Sequence, residues 1–344
     1  MTKASRYLLV LLVAVAVFAA WAWNSKMAQD WILKTAVTTA MKRPSEMDEY
    51  EGLKVFLCGT SSPLPDPDRA QACVAVLAGK KLFLVDAGAG SAQVATLGRL
   101  PLERLEAVFL THYHSDHIAA VPEFNLNSWV AGRQKPLTVY GPVGVSEVVD
   151  GLNNAFRLDL SYRVDHHGKE LLPPDLGAME ARLMDPGTAL EFGNLTVKSF
   201  LVNHDPVRPA VGYRFDYRGR SVVISGDTII TPGLVQAATA ADLLLQDALS
   251  LLIVQTFERA SAGSRLEKIF LDIQDYHAPT TDLMGLAEQS GVRQLALYHL
   301  VPPPQNALFE KIFSRDLPDG AIVTEDGMIF ELPVGSEKVS VVAP

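Results

Sequence analysis

Cysteine is almost missing from this chain: Cys58 and Cys73 are the only two in 344 residues. Two thiols so early in the chain cannot build a zinc ribbon. They flank one loop between two predicted strands, which suits either a disulfide in an oxidising compartment or two buried thiols. Basic charge is in deficit, with 30 Lys and Arg against 39 Asp and Glu, a formal net charge of −9. Such an acidic chain is ill suited to non-specific capture of RNA or DNA, although a local basic groove would be compatible with it. Phosphate-loop chemistry is missing as well. The glycines of Asp86-Ala87-Gly88-Ala89-Gly90 match neither the dinucleotide fingerprint nor a Walker motif with its lysine. No internal repeat is present, and only one long apolar run occurs.

That run is Tyr7 to Trp23, preceded by Lys3 and Arg6 and by no acid. Its length is close to the minimum for a bilayer-spanning helix and also fits a long signal-peptide core. Ala20-Trp21-Ala22 resembles a small-x-small cleavage site, whereas Trp21 and Trp23 sit where interfacial anchors would. We read residues 1–23 as an uncleaved anchor with the rest of the chain facing the periplasm or exterior. Cleavage and secretion is the alternative. Residues 24–51 read as a connector helix with Lys26, Lys34, Lys42 and Arg43, lying on anionic lipid or packing on the domain that follows. Residues 52–344 form the catalytic domain in this reading.

Within that domain short apolar runs predict strands at 53–58, 72–77, 81–85, 107–110, 137–140, 195–202, 211–217, 221–225, 241–246 and 294–298. Helices are predicted at 91–97, 118–130, 145–156 and 281–290. Residues 157–190, with His166 and His167, read as an irregular substrate-facing insertion. Asp326-Gly327 predicts a final hairpin.

The chemistry concentrates in Thr111-His112-Tyr113-His114-Ser115-Asp116-His117, directly after Ala107-Val108-Phe109-Leu110. Imidazoles and a carboxylate packed this closely call for a divalent metal. Three more strands deliver ligand-type residues at their C-terminal tips: His204, Asp227 and His299. Together they make up the donor set of two metals. His112, His114 and His204 hold the first, Asp116, His117 and His299 hold the second, and Asp227 bridges. Asp86 lies behind them as a carboxylate that orients the metal-bound histidines. Histidine and aspartate donors suit zinc first, with manganese or iron as alternatives. A hydroxide between two such ions is a strong nucleophile at neutral pH.

The His-x-His-x-Asp-His motif, with Asp86 before it and His204, Asp227 and His299 after it, resembles the metallo-β-lactamase superfamily over residues 52–334. The resemblance implies an α+β fold, a four-layer αββα sandwich with the metals at one edge between its sheets. Gly59-Thr60-Ser61-Ser62-Pro63-Leu64-Pro65, Tyr140-Gly141-Pro142, Gly226-Asp227-Thr228 and His277-Ala278-Pro279-Thr280-Thr281 resemble the ribonuclease Z and metallo-type arylsulfatase branch. That likeness implies that His277 protonates the leaving oxygen, with Asp116 and Asp227 positioning the nucleophile. Two departures stand out. The long Gly/Pro-rich arm with which ribonuclease Z grips transfer RNA is not found. Gln246-Asp247-Ala248 stands where many relatives read His-Glu-Ala, making Asp247 a substituted supporting acid.

An acidic, exported, armless chain favours a small-molecule ester, a phosphodiester or an aryl sulfate, over nucleic acid. The other readings are a ribonuclease Z-like endonuclease acting on transfer RNA 3′ ends, a lactone or β-lactam hydrolase, and a non-catalytic membrane-anchored binding protein. The last is disfavoured because every ligand position is filled.

Overall fold

The computed structural model describes residues 3–42, 45, 47 and 50–344, so Arg43 of the expected basic set lies outside the described residues. The chain divides into two compact units, Met1–Ser45 and Glu46–Pro344. In the first, α1 (Lys3–Asn24) and α2 (Lys26–Lys42) follow one another with a break at Ser25. No residue of α1 is buried, and it is long and apolar enough to cross a membrane.

The second unit is built on two sheets. The first has eight strands: β1 (Gly52–Gly59), β2 (Cys73–Ala78), β3 (Lys81–Val85), β4 (Leu105–Phe109), β5 (Leu137–Gly141), β6 (Met179–Leu183), and from the far end of the chain β14 (Ile329–Pro333) and β15 (Ser340–Val342). The second has seven: β7 (Ala189–Glu191), β8 (Leu195–Leu201), β9 (Val211–Tyr217), β10 (Arg220–Ile224), β11 (Leu243–Leu249), β12 (Gln294–Val301) and β13 (Ile322–Val323). In each sheet an antiparallel half gives way to a parallel half, at β3–β4 and at β10–β11.

Alternation of side chains along each strand sorts the core. Leu53, Val55 and Leu57 of β1, Phe83 and Val85 of β3, and Phe109 of β4 meet Tyr213, Phe215, Ile224 and Leu245 between the sheets. The intervening Phe56, Leu84 and Val108 face outward under α3 (Ser91–Leu97), α5 (Val121–Val130) and the start of α6 (Val145–His167). Val223 and Leu244 face the opposite way, under α7 (Pro232–Ala238), α8 (Leu251–Ala260), α10 (Leu283–Ser290) and α11 (Ala307–Ser314). Both faces of both sheets are therefore covered, which is why the strands read as unbroken apolar runs. The layers are helix, sheet, sheet, helix, as the sequence implied. The remaining helices are α4 (Ser115–Ile118) and α9 (Arg265–Asp272).

Several local expectations need correction. The helix at 145 does not stop at Phe156. It runs to His167 as a largely exposed rod, with Asp159 and Arg163 paired at 2.9 Å one turn apart and Gly168 ending it at φ 88°. The stretch 157–190 is thus mostly ordered, with β6 and the start of β7 in it as well. Residues 118–130 hold the end of α4 and then α5, separated at Ala119–Ala120. Asp326-Gly327 does turn, with Gly327 at φ 87°, but the strands it connects lie in different sheets. Asp326 instead fastens the 59–70 loop, accepting from Thr60 N at 2.9 Å, Thr60 Oγ1 at 2.7 Å and Ala70 N at 2.6 Å. Cys58 and Cys73 are joined as a disulfide across that same loop.

Candidate metal centre

The loop after β4 is shaped by one buried carboxylate. Asp86, fully buried at the end of β3, accepts from Thr111 N and Thr111 Oγ1, both at 2.8 Å, and from His117 Nδ1 at 2.8 Å. Its own φ of 59° is rare for a side-chain-bearing residue, and strain of this kind gathers at functional sites. Because Thr111 gives its hydroxyl proton to Asp86, its oxygen is left to accept from His112 Nδ1 at 3.0 Å. Both imidazoles are thereby held with Nδ1 protonated and Nε2 turned inward, the arrangement metal ligation needs. Gly88 backs the loop: a Cβ there would lie 2.1 Å from Asp116 O.

The long-range partners meet these side chains. His112 Nε2 lies 2.9 Å from His114 Nδ1, and His204 Nε2 lies 3.4 Å from the same atom. On the other side Asp116 Oδ2 is 3.1 Å from His299 Nε2 and 3.4 Å from His117 Nε2. Asp227 Oδ2 sits between the two groups, 3.3 Å from His117 and His299 and 3.8 Å from His112 and His204. All seven residues named as candidate ligands therefore lie in one cluster, with Asp227 between the His112–His114–His204 group and the Asp116–His117–His299 group. Asp227 follows β10 as anticipated. His299 does not end its strand: β12 continues to Val301, and His299 turns inward at φ 45° beside a register irregularity against β11.

The donor set fits divalent metal. Buried His117 Nε2, Asp227 Oδ1 and His299 Nδ1 have no hydrogen-bond partner, and leaving such atoms unsatisfied is costly. His117 Nε2 is near Asp227 but misaligned for a hydrogen bond. Burial pushes His112, His114 and His204 down, His204 to about 4, so the first group stands as neutral imidazoles. Burial would push Asp116 up, but the adjacent His117 and His299 outweigh it and hold the carboxyl below its usual range.

Beside the cluster stands His277, buried, with Nδ1 2.7 Å from Asp247 Oδ2. Asp247 is itself held by Gln246 Nε2 on Oδ1 at 2.8 Å and by its own N–H on Ser225 Oγ at 3.1 Å. Burial pushes His277 down to about 3 and Asp247 up, so the low dielectric favours the uncharged form of this pair. The supporting acid foreseen at 247 is thus attached specifically to His277. Sequence reasoning did not single out Thr111, Gly88 or Tyr276; their only signals were adjacency to His112, Asp86 and His277. His166 and His167 lie at the exposed end of α6 and take no part. The cluster opens to solvent on the side of His114, the one exposed ligand.

A family model described as "Beta-lactamase superfamily domain" matches residues 81–300. The chain belongs to the metallo-β-lactamase superfamily. It is therefore a superfamily hydrolase by descent, with the ligand motif of that family intact. Among curated relatives, "Ribonuclease Z" of Mycobacterium marinum is 36% identical over 253 residues, covering 73% of this chain and 87% of its own. "Ribonuclease Z" of Mycobacterium tuberculosis is likewise 36% identical, covering 73% and 86%. Among solved structures, the metallo-β-lactamase fold protein YhfI from Bacillus subtilis superposes with a TM-score of 0.60 at 20% identity, covering 81% of this chain and 99% of its own. The short form of human tRNase Z gives 0.58 at 20% identity, with the same coverage. At that identity the superpositions speak for the fold.

Proposed function

We propose that this chain is a metal-dependent phosphodiesterase of ribonuclease Z type, cutting a phosphodiester bond in RNA at a transfer RNA 3′ end. The observation that carries the chemistry is the convergence of seven ligating side chains with His277, seated on Asp247, at their edge. The substrate reading draws on the relatives called ribonuclease Z, matched over most of their length. It reverses the order set by composition and by the missing arm, which put a small ester first.

His112, His114 and His204 on one side, Asp116, His117 and His299 on the other, and Asp227 between them would hold divalent metal, zinc by preference, which would supply Lewis-acid stabilisation of charge on the phosphoryl oxygens and a more acidic water. Asp116 and Asp227 orient the attacking water by accepting its hydrogen bonds. As its oxygen bonds to phosphorus, the bond to the leaving oxygen breaks, and His277 Nε2–H is the group placed to protonate that oxygen. Asp247, protonated in the uncharged pair, donates to Nδ1, which keeps Nε2–H towards the substrate, and passes its proton to Nδ1 as Nε2–H is given up. Asp86 and Thr111 hold His117 and His112 in orientation through Nδ1.

A second reading keeps the same chemistry on a small phosphodiester or aryl sulfate outside the cytoplasm. It is favoured by the apolar helix α1, none of whose residues is buried, read as a membrane anchor, and by the Cys58–Cys73 disulfide. One panel separates them: a transfer RNA precursor with a 3′ trailer, bis(p-nitrophenyl) phosphate, p-nitrophenyl sulfate, a lactone and a cephalosporin, each with and without chelator. Chelator-sensitive trimming of the precursor supports the ribonuclease reading. An untouched precursor beside rapid turnover of either small ester transfers the assignment to the second reading. Turnover that survives chelation refutes both.

A further inference from the structure

We propose that Tyr276 recognises the departing part of the substrate and gives the site a preference for leaving groups that carry a flat ring, such as a nucleobase or aryl group. The residue lies between two members of the centre. Its ring centroid is 4.9 Å from that of His204, edge-on at 88°, and 4.8 Å from that of His277 at 58°. Its carbonyl accepts from His204 Nδ1 at 3.1 Å, so its backbone is tied to a candidate ligand whatever side chain it bears.

The other tyrosines packed around this site behave differently. Tyr113 donates its hydroxyl to Pro142 O at 2.5 Å and Tyr213 to Leu110 O at 2.7 Å, while Tyr298 accepts from Gly226 N at 3.1 Å. Those are framework roles, as expected of a buried phenol. Tyr276 is only half-buried, and its hydroxyl has no hydrogen-bond partner among the described residues. It is therefore an aromatic ring packed at the rim of the centre with part of its surface open.

This inference rests on the reading that His277 protonates the leaving oxygen. A proton transfer from His277 requires that oxygen within about 3 Å of Nε2. Whatever is attached to it then begins next to the ring that packs on His277. A tyrosine side chain offers a large flat contact with little conformational freedom to lose, and stacking on such rings tolerates any planar group.

The test compares phenylphosphonate with methylphosphonate binding to the zinc-loaded full-length protein by titration calorimetry. Neither probe has to be hydrolysed, so a protein that fails to cut RNA still reports on Tyr276. Wild type is expected to favour the phenyl compound roughly tenfold. Tyr276→Phe should keep that preference, and Tyr276→Ala should lose it with zinc content unchanged. Equal preference in wild type and Ala overturns the proposal, as does the absence of any preference in wild type. A Phe variant that behaves like Ala assigns the effect to the hydroxyl and overturns ring recognition. Zinc lost from the Ala variant makes Tyr276 a support for His204 instead.

Discussion

Asp247→Asn isolates the proton-donating role assigned to His277. Asparagine is close to isosteric: its amide N–H can take the place of Oδ2, 2.7 Å from His277 Nδ1, while its Oδ1 goes on accepting from Gln246 Nε2. The variant should therefore fold and keep its metals, while losing the acid that can share a proton with His277. Positioned general acids contribute about 10²–10⁴-fold to rate. We expect kcat to fall roughly 100-fold, about 2.7 kcal/mol in activation free energy, with KM nearly unchanged. The loss should depend on the leaving group. An RNA 3′ oxygen departs as a basic alkoxide and needs the proton, whereas p-nitrophenolate hardly does. The assay is steady-state kinetics on the transfer RNA precursor and on bis(p-nitrophenyl) phosphate, alongside zinc content. Full activity on the poor leaving group, or equal losses on both substrates, would refute the assignment of His277 and Asp247 as the proton-donating pair. Asp247→Ala is a harsher variant: it leaves the buried His277 Nδ1 without its partner and should also cost about 1–3 kcal/mol of stability in denaturant melts.

Other parts of the molecule make separate predictions. His114→Ala removes the one exposed candidate ligand, so metal-dependent turnover should vanish with the circular dichroism spectrum unchanged, and zinc content per chain should fall. Wild-type turnover by that variant on phosphodiester and aryl sulfate reporters would contradict the metal centre. Gly88→Ala places a Cβ 2.1 Å from Asp116 O and 2.6 Å from Gln71 Cβ, so the ligand loop must shift. Its zinc affinity, measured by competition with a chromophoric chelator, should weaken by roughly 10–100-fold, and an unchanged value would show that the loop has more room than the structure gives it. Cys73→Ser opens a link between residues 15 apart, and the loss of that closure should lower unfolding stability by about 3 kcal/mol. Reducing agent should shift the denaturant midpoint of wild type by the same amount and leave the variant unmoved.

Much of the centre was legible because its first part is local. His112 to His117 are near neighbours in sequence, so their proximity is imposed by covalent geometry, and the apolar run before them marks a buried strand end. His204 and Asp227 also follow apolar runs, which announces a sheet edge lined with ligands. Other features were not legible for identifiable reasons. The second half of α6 has no continuous apolar stripe because it packs against little, and periodicity is a signal only where one face is buried. Asp326-Gly327 carries the chemistry of a tight turn, but turn chemistry is local and sheet membership is not. The short strand before it pairs with β12 and the strand after it with β1.

The sequence by itself determined the donor types, their spacing around His112, the unbroken apolar runs that build two covered sheets, and the membership of the superfamily. The tertiary structure decided which carboxylate serves which histidine. It set Asp86 on His117 and Thr111, Asp247 on His277 from 30 residues away, and Asp227 between two groups of ligands. It also turned His299 inward from within a strand and placed Tyr276 against His204 and His277. These pairings depend on sheet register and on backbone at positive φ, which arise from packing of distant strands rather than from any local pattern of residues.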